Sequence, residues 1–243
     1  MIGRKLSTNF MIKNRMAVLD AILIHAYWYD IKKRSSLDLA NKIQILALKN
    51  ICKKLNIKNV IISAGKISQN QPAIGYELKR QILLALPKKF HNRIHLYPSQ
   101  KTTIGEIKKF REICQAQNWK KLAALGVSLH IPRIKKNFSK FFMEDKTPIL
   151  FFEAEKNLSR ALPILQKYRN SREYTLLKFN EQITRKIENV PLIGTPLLEI
   201  AGKFSIEKGY FQPKLIAWIL DYNYISAILF KHNQKPNVPN VKK

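Results

Sequence analysis

Short apolar runs alternate with amphipathic stretches along the first two thirds of the chain. An apolar run of this length, bounded by polar or turn residues, is typical of a buried strand. Five strands are predicted in this way, over residues 19–25, 58–63, 93–97, 121–127 and 148–152. The stretches between them repeat their apolar residues at helical spacing and predict helices over residues 37–55, 73–86, 103–118 and 132–142.

This strict alternation, with short joints, predicts βαβ units and therefore a parallel sheet. Right-handed crossover connections then place helices on both faces of the sheet. We predict an α/β fold, a Rossmann-like three-layer sandwich with a mostly parallel sheet, over residues 17–155, after a lead segment of residues 1–16.

The strand pattern stops after Glu155, and only helical spacing follows. Helices are predicted over residues 156–168, 172–190, 196–204 and 213–231, with residues 191–194 as a joint. Residues 156–232 are thus interpreted as a helical appendage packed against the sheet domain. The polar, basic tail of residues 233–243 is predicted to be disordered.

The amino-acid composition restricts the class of protein to which this chain can belong. Hydrophobic residues make up 46% and charged residues 25% of the chain, which excludes wholesale disorder. Cys52 and Cys114 both lie among apolar residues of predicted helices, so we expect two core thiols and no disulfide framework. No signal peptide is expected, and no apolar run reaches the ~20 residues that span a membrane. A reducing cytoplasm fits best, with peripheral membrane contact left open.

The charge is the least ordinary feature: 44 Lys and Arg against 16 Asp and Glu give a net charge of +28. Such a charge attracts polyanions such as nucleic acid or an anionic membrane. The basic residues are nevertheless scattered, and no zinc-finger spacing, aromatic RNA-binding signature or arginine-rich arm accompanies them. Compositional bias, nonspecific polyanion contact and dedicated nucleic-acid binding all remain open.

Ligands of open parallel sheets bind beyond the carboxyl ends of the strands, near the point where strand order reverses. Polar residues collect at these positions after the first four predicted strands. We predict catalytic roles for His130 and Glu77. We predict ligand-binding roles for His25, Ser63, Gly65, Ser99, Thr102, Thr103, Glu106, Ser128 and Arg133.

Each of these residues also has a structural interpretation. His130 is interpreted as a base, an anion contact or a metal ligand, or as a residue that holds its loop. Arg133 either binds a carboxylate or phosphate or forms a surface ion pair. Thr102 or Thr103 caps its helix, whose free N–H groups then face an anion. Glu106 is predicted to complete a capping box with Thr103.

Glu77 is either a general acid or base or a solvated helix residue. His25 and the aromatic residues 27–29 form either a lip that stacks a planar ring or part of the core. A metal shared by His25 and His130 lacks a third ligand, so no metal site is predicted.

The order of the strands decides which of these residues meet. In the order 2-1-3-4-5 of the predicted strands, the ends of strands one, three and four come together. In the order 3-2-1-4-5, Thr102 is expected to lie at the edge of the sheet. The density of polar residues favours the first order.

Four motifs carry a resemblance to a known family. Ser128-x-His130-x-Pro132-Arg133 resembles an S-x-x-H-x-P-R pattern, apart from one residue of spacing, and residues 99–106 resemble an S-x-x-T-x-x-N segment at a helix start. Residues 63–65 resemble an S-G-G turn, and Glu77 resembles an acid that follows it. In this order, over residues 19–152, the set resembles the domain-of-unknown-function 218 family of YdcF-, SanA- and ElyC-like proteins. The glycine-rich first turn of that family is replaced here by His25-Ala26-Tyr27.

The resemblance implies a protein that binds an anionic, nucleotide-like or adenosyl-containing metabolite, such as S-adenosylmethionine, at the carboxyl ends of the strands. It also implies an envelope-related role, with enzymatic activity left open. The alternative is a basic binding module that docks on nucleic acid or on an anionic membrane surface. The substrate, the reaction and the oligomeric state are not predicted.

Overall fold

A computed structural model describes residues 18–27, 37–65, 73–98, 102–142 and 147–188. Five parallel strands form the main sheet: β2 (Ala21–Ile24), β4 (Val60–Ile62), β5 (Ile94–Leu96), β6 (Leu122–Gly126) and β7 (Ile149–Glu153). Two short strands, β1 (Val18–Leu19) and β3 (Asn56–Ile57), pair with each other just before β2 and β4. Each predicted strand corresponds to one strand of the main sheet.

The strands of the main sheet lie in the order β5-β4-β2-β6-β7. This is the order 3-2-1-4-5 of the predicted strands, so the favoured order 2-1-3-4-5 is wrong. The chain lays β4 and β5 in succession on one side of β2 and then returns to the other side for β6 and β7. The order therefore reverses between β2 and β6, and the carboxyl ends of these two strands flank that point.

Six helices accompany the sheet: α1 (Leu39–Lys54), α2 (Ile74–Ala85), α3 (Thr103–Ala116), α4 (Ile131–Phe142), α5 (Pro163–Arg169) and α6 (Arg172–Glu188). Short 3-10 turns occupy Lys88–Arg93 and Glu155–Asn157. Helices α1 and α2 pack on one face of the sheet, and α3 and α4 pack on the other. The predicted Rossmann-like three-layer α/β fold is thereby confirmed.

The core follows from the alternation of side chains along the strands. In β2, Ile22 and Ile24 join the cluster beneath α1 and α2, while Ala21 and Leu23 join the cluster beneath α3 and α4. Because β2 is buried on both faces, it is apolar throughout instead of alternating with polar residues. The two thiols are buried and free, with Cys52 in the first cluster and Cys114 in the second.

The chain beyond residue 155 adds helices to the first face. Pro163 begins α5, where its missing N–H costs no hydrogen bond, so the helix predicted over residues 156–168 starts later than expected. Buried side chains of α5 and α6, such as Tyr168 and Leu177, join the cluster beneath α1. The helices predicted over 196–204 and 213–231, the joint, the lead segment and the tail lie outside the described residues. None of the helices in the described ranges combines the length and the hydrophobicity that a membrane span requires.

Gly75 lies in the first turn of α2, where the helix approaches the end of β4 closely. A Cβ atom at this position would lie 2.6 Å from the carbonyl oxygen of Ala64 and 2.6 Å from Cδ1 of Leu96. We expect Gly75→Ala to lower the free energy of unfolding by about 1–2 kcal/mol, because the backbone must shift to relieve the overlap. Urea denaturation followed by circular dichroism measures the change.

Gly126→Ala is the matched control for this substitution. Its Cβ would lie 2.7 Å from Cδ1 of Ile134, which is the end of a flexible side chain and not backbone. A loss of stability in Gly126→Ala that exceeds the loss in Gly75→Ala contradicts the assignment of the backbone overlap as the larger cost.

Candidate functional site

Residues from four elements meet at the point where the strand order reverses. His25 directly follows β2, and the turn of residues 127–130 joins β6 to α4. The crossover from β5 to β6 carries α3 back across the sheet, so that Glu106 in its first turn contacts His25. The expectation that this strand order leaves the Thr102 segment at the sheet edge is therefore wrong. Helix α6 supplies the fourth element.

His25 and Glu106 form a buried pair. The Nδ1 atom of His25 lies 2.6 Å from Oε2 of Glu106, and both side chains are almost fully buried. Burial raises the pKa of Glu106, and the hydrogen bond with His25 opposes that rise. Within the described residues, Nε2 of His25 has no hydrogen-bond partner. A buried polar atom in this state is uncommon in folded proteins.

The start of α3 differs from the predicted capping box. Thr102 is the N-cap, since its Oγ1 accepts the N–H of Gly105 at 3.1 Å. Glu106 lies one residue beyond the position that closes a box with this cap, and its carboxylate contacts His25 instead. The predicted box between Thr103 and Glu106 is therefore wrong, and Glu106 belongs to the site.

A second histidine–carboxylate pair lies beside the first. The Nδ1 atom of His130 lies 2.5 Å from Oε1 of Glu181, and both side chains are buried. Arg133 donates two hydrogen bonds to the same carboxylate, from Nε to Oε2 at 3.0 Å and from Nη2 to Oε1 at 2.9 Å. Burial opposes ionisation of Glu181, but Arg133 and His130 hold the pKa of this carboxyl well below its usual range.

The protonation state of His130 follows from these contacts. Burial lowers its pKa to about 4, and Arg133 contributes in the same direction, so the imidazole is neutral at pH 7. The ionised Glu181 accepts the hydrogen on Nδ1, which leaves a lone pair on Nε2. That Nε2 lies 3.4 Å from Oγ1 of the half-buried Thr103.

A carboxylate, an imidazole and a hydroxyl thus stand in series, from α6, the start of α4 and the start of α3. The carboxylate orients the ring, as in other sites that remove a proton from a hydroxyl. It also raises the pKa of His130, but burial has the larger effect and lowers it to about 4. The distance of 3.4 Å is longer than an ideal hydrogen bond, as is common before a ligand closes such a site. Proton transfer to and from Nε2 of His130 is what this arrangement can perform.

Aromatic rings fill the space around His130. The ring centroids of His25 and Tyr27 lie 5.6 Å and 5.4 Å from that of His130, both edge to face. Tyr27 is buried, and its hydroxyl accepts the N–H of Val127 at 3.1 Å. It packs in the core and is not part of an open lip, whereas residues 28 and 29 lie outside the described residues. In the part of the chain that the structure describes, no group of three or more His, Cys, Asp or Glu side chains could hold a metal ion.

The serine and glycine positions after the strands have different surroundings. Ser63 follows β4 and is buried, and its Oγ has no hydrogen-bond partner among the described residues. The carbonyl oxygen of Gly65 accepts the N–H of Ile74 at 3.1 Å. The N–H and Oγ of Ser128 both donate to Oε2 of Glu155, at 2.8 Å and 3.0 Å.

Glu77 is bound within its own helix. Its carboxylate accepts two hydrogen bonds of 2.7 Å from Arg80 and one of 2.9 Å from Gln81. The hydrogen bonds from Arg80 lower the pKa of Glu77. None of its described contacts joins it to His130. Ser99 lies outside the described residues.

Glu181 is the site residue that the sequence did not indicate. It lies in α6, where Asn180 and Thr184 are also buried. Analysis by hydrophobic periodicity looks for apolar residues on the inner face of a helix, and this inner face is partly polar. The only available signal was a run of polar residues at helical spacing, which solvated helices share.

In comparisons with known proteins, no family model and no curated protein matches this chain.

Proposed function

We propose that the chain binds a small anionic metabolite at the carboxyl ends of β2 and β6, and that His130 acts there as a proton acceptor. A nucleotide-like or adenosyl-containing compound is the proposed class of ligand. The observation that carries the proposal is the series of Glu181, His130 and Thr103, with Nε2 of the neutral imidazole 3.4 Å from the threonine hydroxyl.

The start of α3 provides the proposed contact for the anion. The first N–H groups of a helix have no partner within the helix, and the N-cap occupies only that of Gly105. Within the part of the chain that the structure describes, those of Thr103 and Ile104 have no partner, and they lie beside the threonine hydroxyl in a position that suits a phosphate or carboxylate. The net charge of +28 favours the approach of such a ligand.

Two further polar atoms support a ligand at this edge. Nε2 of His25 and Oγ of Ser63 are both buried without a described partner. The residues that precede them, Ile24 and Ile62, are paired across neighbouring strands, so His25 and Ser63 follow at the same level. Hydroxyl or ring-nitrogen groups of a nucleoside would satisfy both atoms. The resemblance to the domain-of-unknown-function 218 family favours the same class of ligand.

The proposal changes the roles of two predicted residues. Arg133 directs one edge of its guanidinium, Nε and Nη2, at Glu181, so we assign it to holding that carboxylate ionised and not to contacting the anion. Glu77 is bonded within α2, so the pair of His25 and Glu106 replaces it as the second acid–base group of the proposed site.

Thr103→Val tests this proposal, because it removes a hydroxyl and keeps the shape of the side chain. Thermal shift of the full chain against AMP, ATP, S-adenosylmethionine and sugar phosphates is expected to give at least one stabilising ligand. Thr103→Val is expected to lower the affinity for that ligand roughly tenfold or more, since a hydrogen bond to a charged group is lost. Isothermal titration calorimetry on the best ligand measures the affinity.

Thr175→Val is the matched control, because its side chain is exposed on α6 and its hydroxyl donates to the carbonyl oxygen of Ser171, just before that helix. His130→Gln is expected to lower the affinity for the ligand to a similar extent as Thr103→Val. A panel without any stabilising ligand, or a ligand that both site variants bind unchanged, contradicts the proposal. Binding of polyanions that is steeply salt-dependent and indifferent to both variants would favour the basic docking module.

A further inference from the structure

A cavity lies at the end of the sheet opposite to His130. Its volume is about 380 Å³, which is within the range of pockets for small molecules. The last turns of α1 and the 3-10 turn after α2 line it. Because helices of βαβ units run antiparallel to their strands, these ends lie at the amino ends of the strands, away from His130.

The inner wall of this cavity is apolar. Leu86 and Phe90 are buried beneath it, and Leu55 and Pro87 complete the apolar lining. Cys52 also lines the wall, and burial raises the pKa of its thiol to about 11. The sulfur is therefore an uncharged wall atom at neutral pH, and the wall offers contact to a hydrocarbon or aromatic group.

The rim of the cavity carries only positive charge. Its charged side chains are Lys49, Lys53, Lys89 and Arg93, and its lining contains no carboxylate. Within the described residues, none of the three lysines forms an ion pair. The carboxyl-terminal ends of α1 and α2 each carry a partial negative charge of about one half, which repels an anion. The four cations of the rim outweigh this repulsion.

Arg93 is held in a fixed position at this rim. Its Nη1 donates to Oδ1 of Asn56 at 3.1 Å and to the carbonyl oxygen of Ile57 at 2.8 Å. The guanidinium also lies over the ring of Phe90, 5.4 Å from its centroid, and Lys89 lies 5.5 Å from the same centroid. Two cations are thus anchored on the aromatic ring that forms part of the apolar wall.

We propose that this cavity is a binding site for an anionic amphiphile, a compound with a compact apolar body and one phosphate, sulfate or carboxylate head. The apolar wall takes the body, and the anchored Arg93 with the three lysines takes the head. Both parts of the ligand follow from the lining, because a neutral apolar compound leaves the four cations unmatched and a simple anion leaves the wall exposed.

Octyl phosphate, kept below its micelle-forming concentration, is the probe for this site. Calorimetric titration into the full chain is expected to show saturable binding, with octanol weaker and octylammonium without binding. The double variant Lys53→Gln with Lys89→Gln is expected to weaken octyl phosphate about tenfold, because two of the four attracting charges are removed.

Lys167→Gln with Lys178→Gln is the matched control, since it removes the same charge from exposed positions on α5 and α6. Equal weakening in both double variants overturns the proposal in favour of a general charge effect. Equal binding of octylammonium overturns it in favour of unspecific apolar contact. Binding to phosphatidylglycerol vesicles without binding of monomeric octyl phosphate overturns it in favour of a membrane-docking surface. Unchanged affinity in His130→Gln shows that the site is separate from the one at the carboxyl edge.

Discussion

Replacing Glu181 with leucine is expected to lower the free energy of unfolding by about 3–5 kcal/mol. The carboxylate is 3% exposed and holds the guanidinium of Arg133, which is 11% exposed. Without it, the guanidinium of Arg133 and the Nδ1 hydrogen of His130 both lose the carboxylate they share, and the desolvation of the cation is compensated less well. Urea denaturation of the full chain, followed by circular dichroism, measures the loss.

The double variant Glu181→Leu with Arg133→Met separates this cause from a general packing defect. Because it removes the cation together with its carboxylate partner, we expect it to be more stable than Glu181→Leu alone. Glu112→Leu is the surface control: its carboxylate is 63% exposed and pairs with Lys109, so the expected change is below about 1 kcal/mol. A double variant no more stable than the single one contradicts the charge argument.

The protein is expected to lose stability as the pH falls from about 6.5 to about 4. Burial lowers the pKa of His130 to about 4, whereas an unfolded histidine titrates near its ordinary value. Between these two values the unfolded chain binds a proton at His130 and the folded chain does not, so acid favours unfolding. The difference corresponds to roughly 3 kcal/mol, all of it present above pH 6.5. Urea denaturation at a series of pH values measures this dependence.

Other groups of the site titrate in the same range. Glu181, whose pKa is lowered, adds to the acid destabilisation below pH 4.5, whereas Glu106, whose pKa burial raises, opposes it. The comparison is therefore made with His130→Gln, and the readout is the slope of stability against pH and not its absolute value. This variant is expected to show a clearly flatter slope between pH 4 and 6.5. An equal slope in both proteins means that His130 is not buried in its neutral form.

The strands and helices could be predicted from the sequence because their signals are local. Burial of β2 on both faces produces an uninterrupted apolar run, and the amphipathic spacing of α4 follows from its single buried face. The order of the strands could not be predicted in the same way. It depends on whether the chain places β5 beside β4 or on the other side of β2, and no local pattern records that choice.

Only those residues of the candidate site that follow a predicted strand could be predicted from the sequence. His25, Glu106 and His130 were selected because parallel strands bring such residues to one edge, and the structure places them there together. Their exact partners were not predictable. A glutamate at the position of Glu106 is explained equally simply by helix capping. Glu181 lies in a helix whose inner face is partly polar, so its burial left no apolar pattern in the sequence.

The contact between α6 and His130 joins a late part of the chain to an earlier one, so it forms late during synthesis. During synthesis, residues 18–153 leave the ribosome before Glu181 does, so all strands of the sheet are available while the carboxylate that orients the imidazole is still missing. The contact that orients His130 therefore forms only after the strands have been synthesised, and a product truncated before α6 would contain the residues of every strand and lack the carboxylate partner of His130.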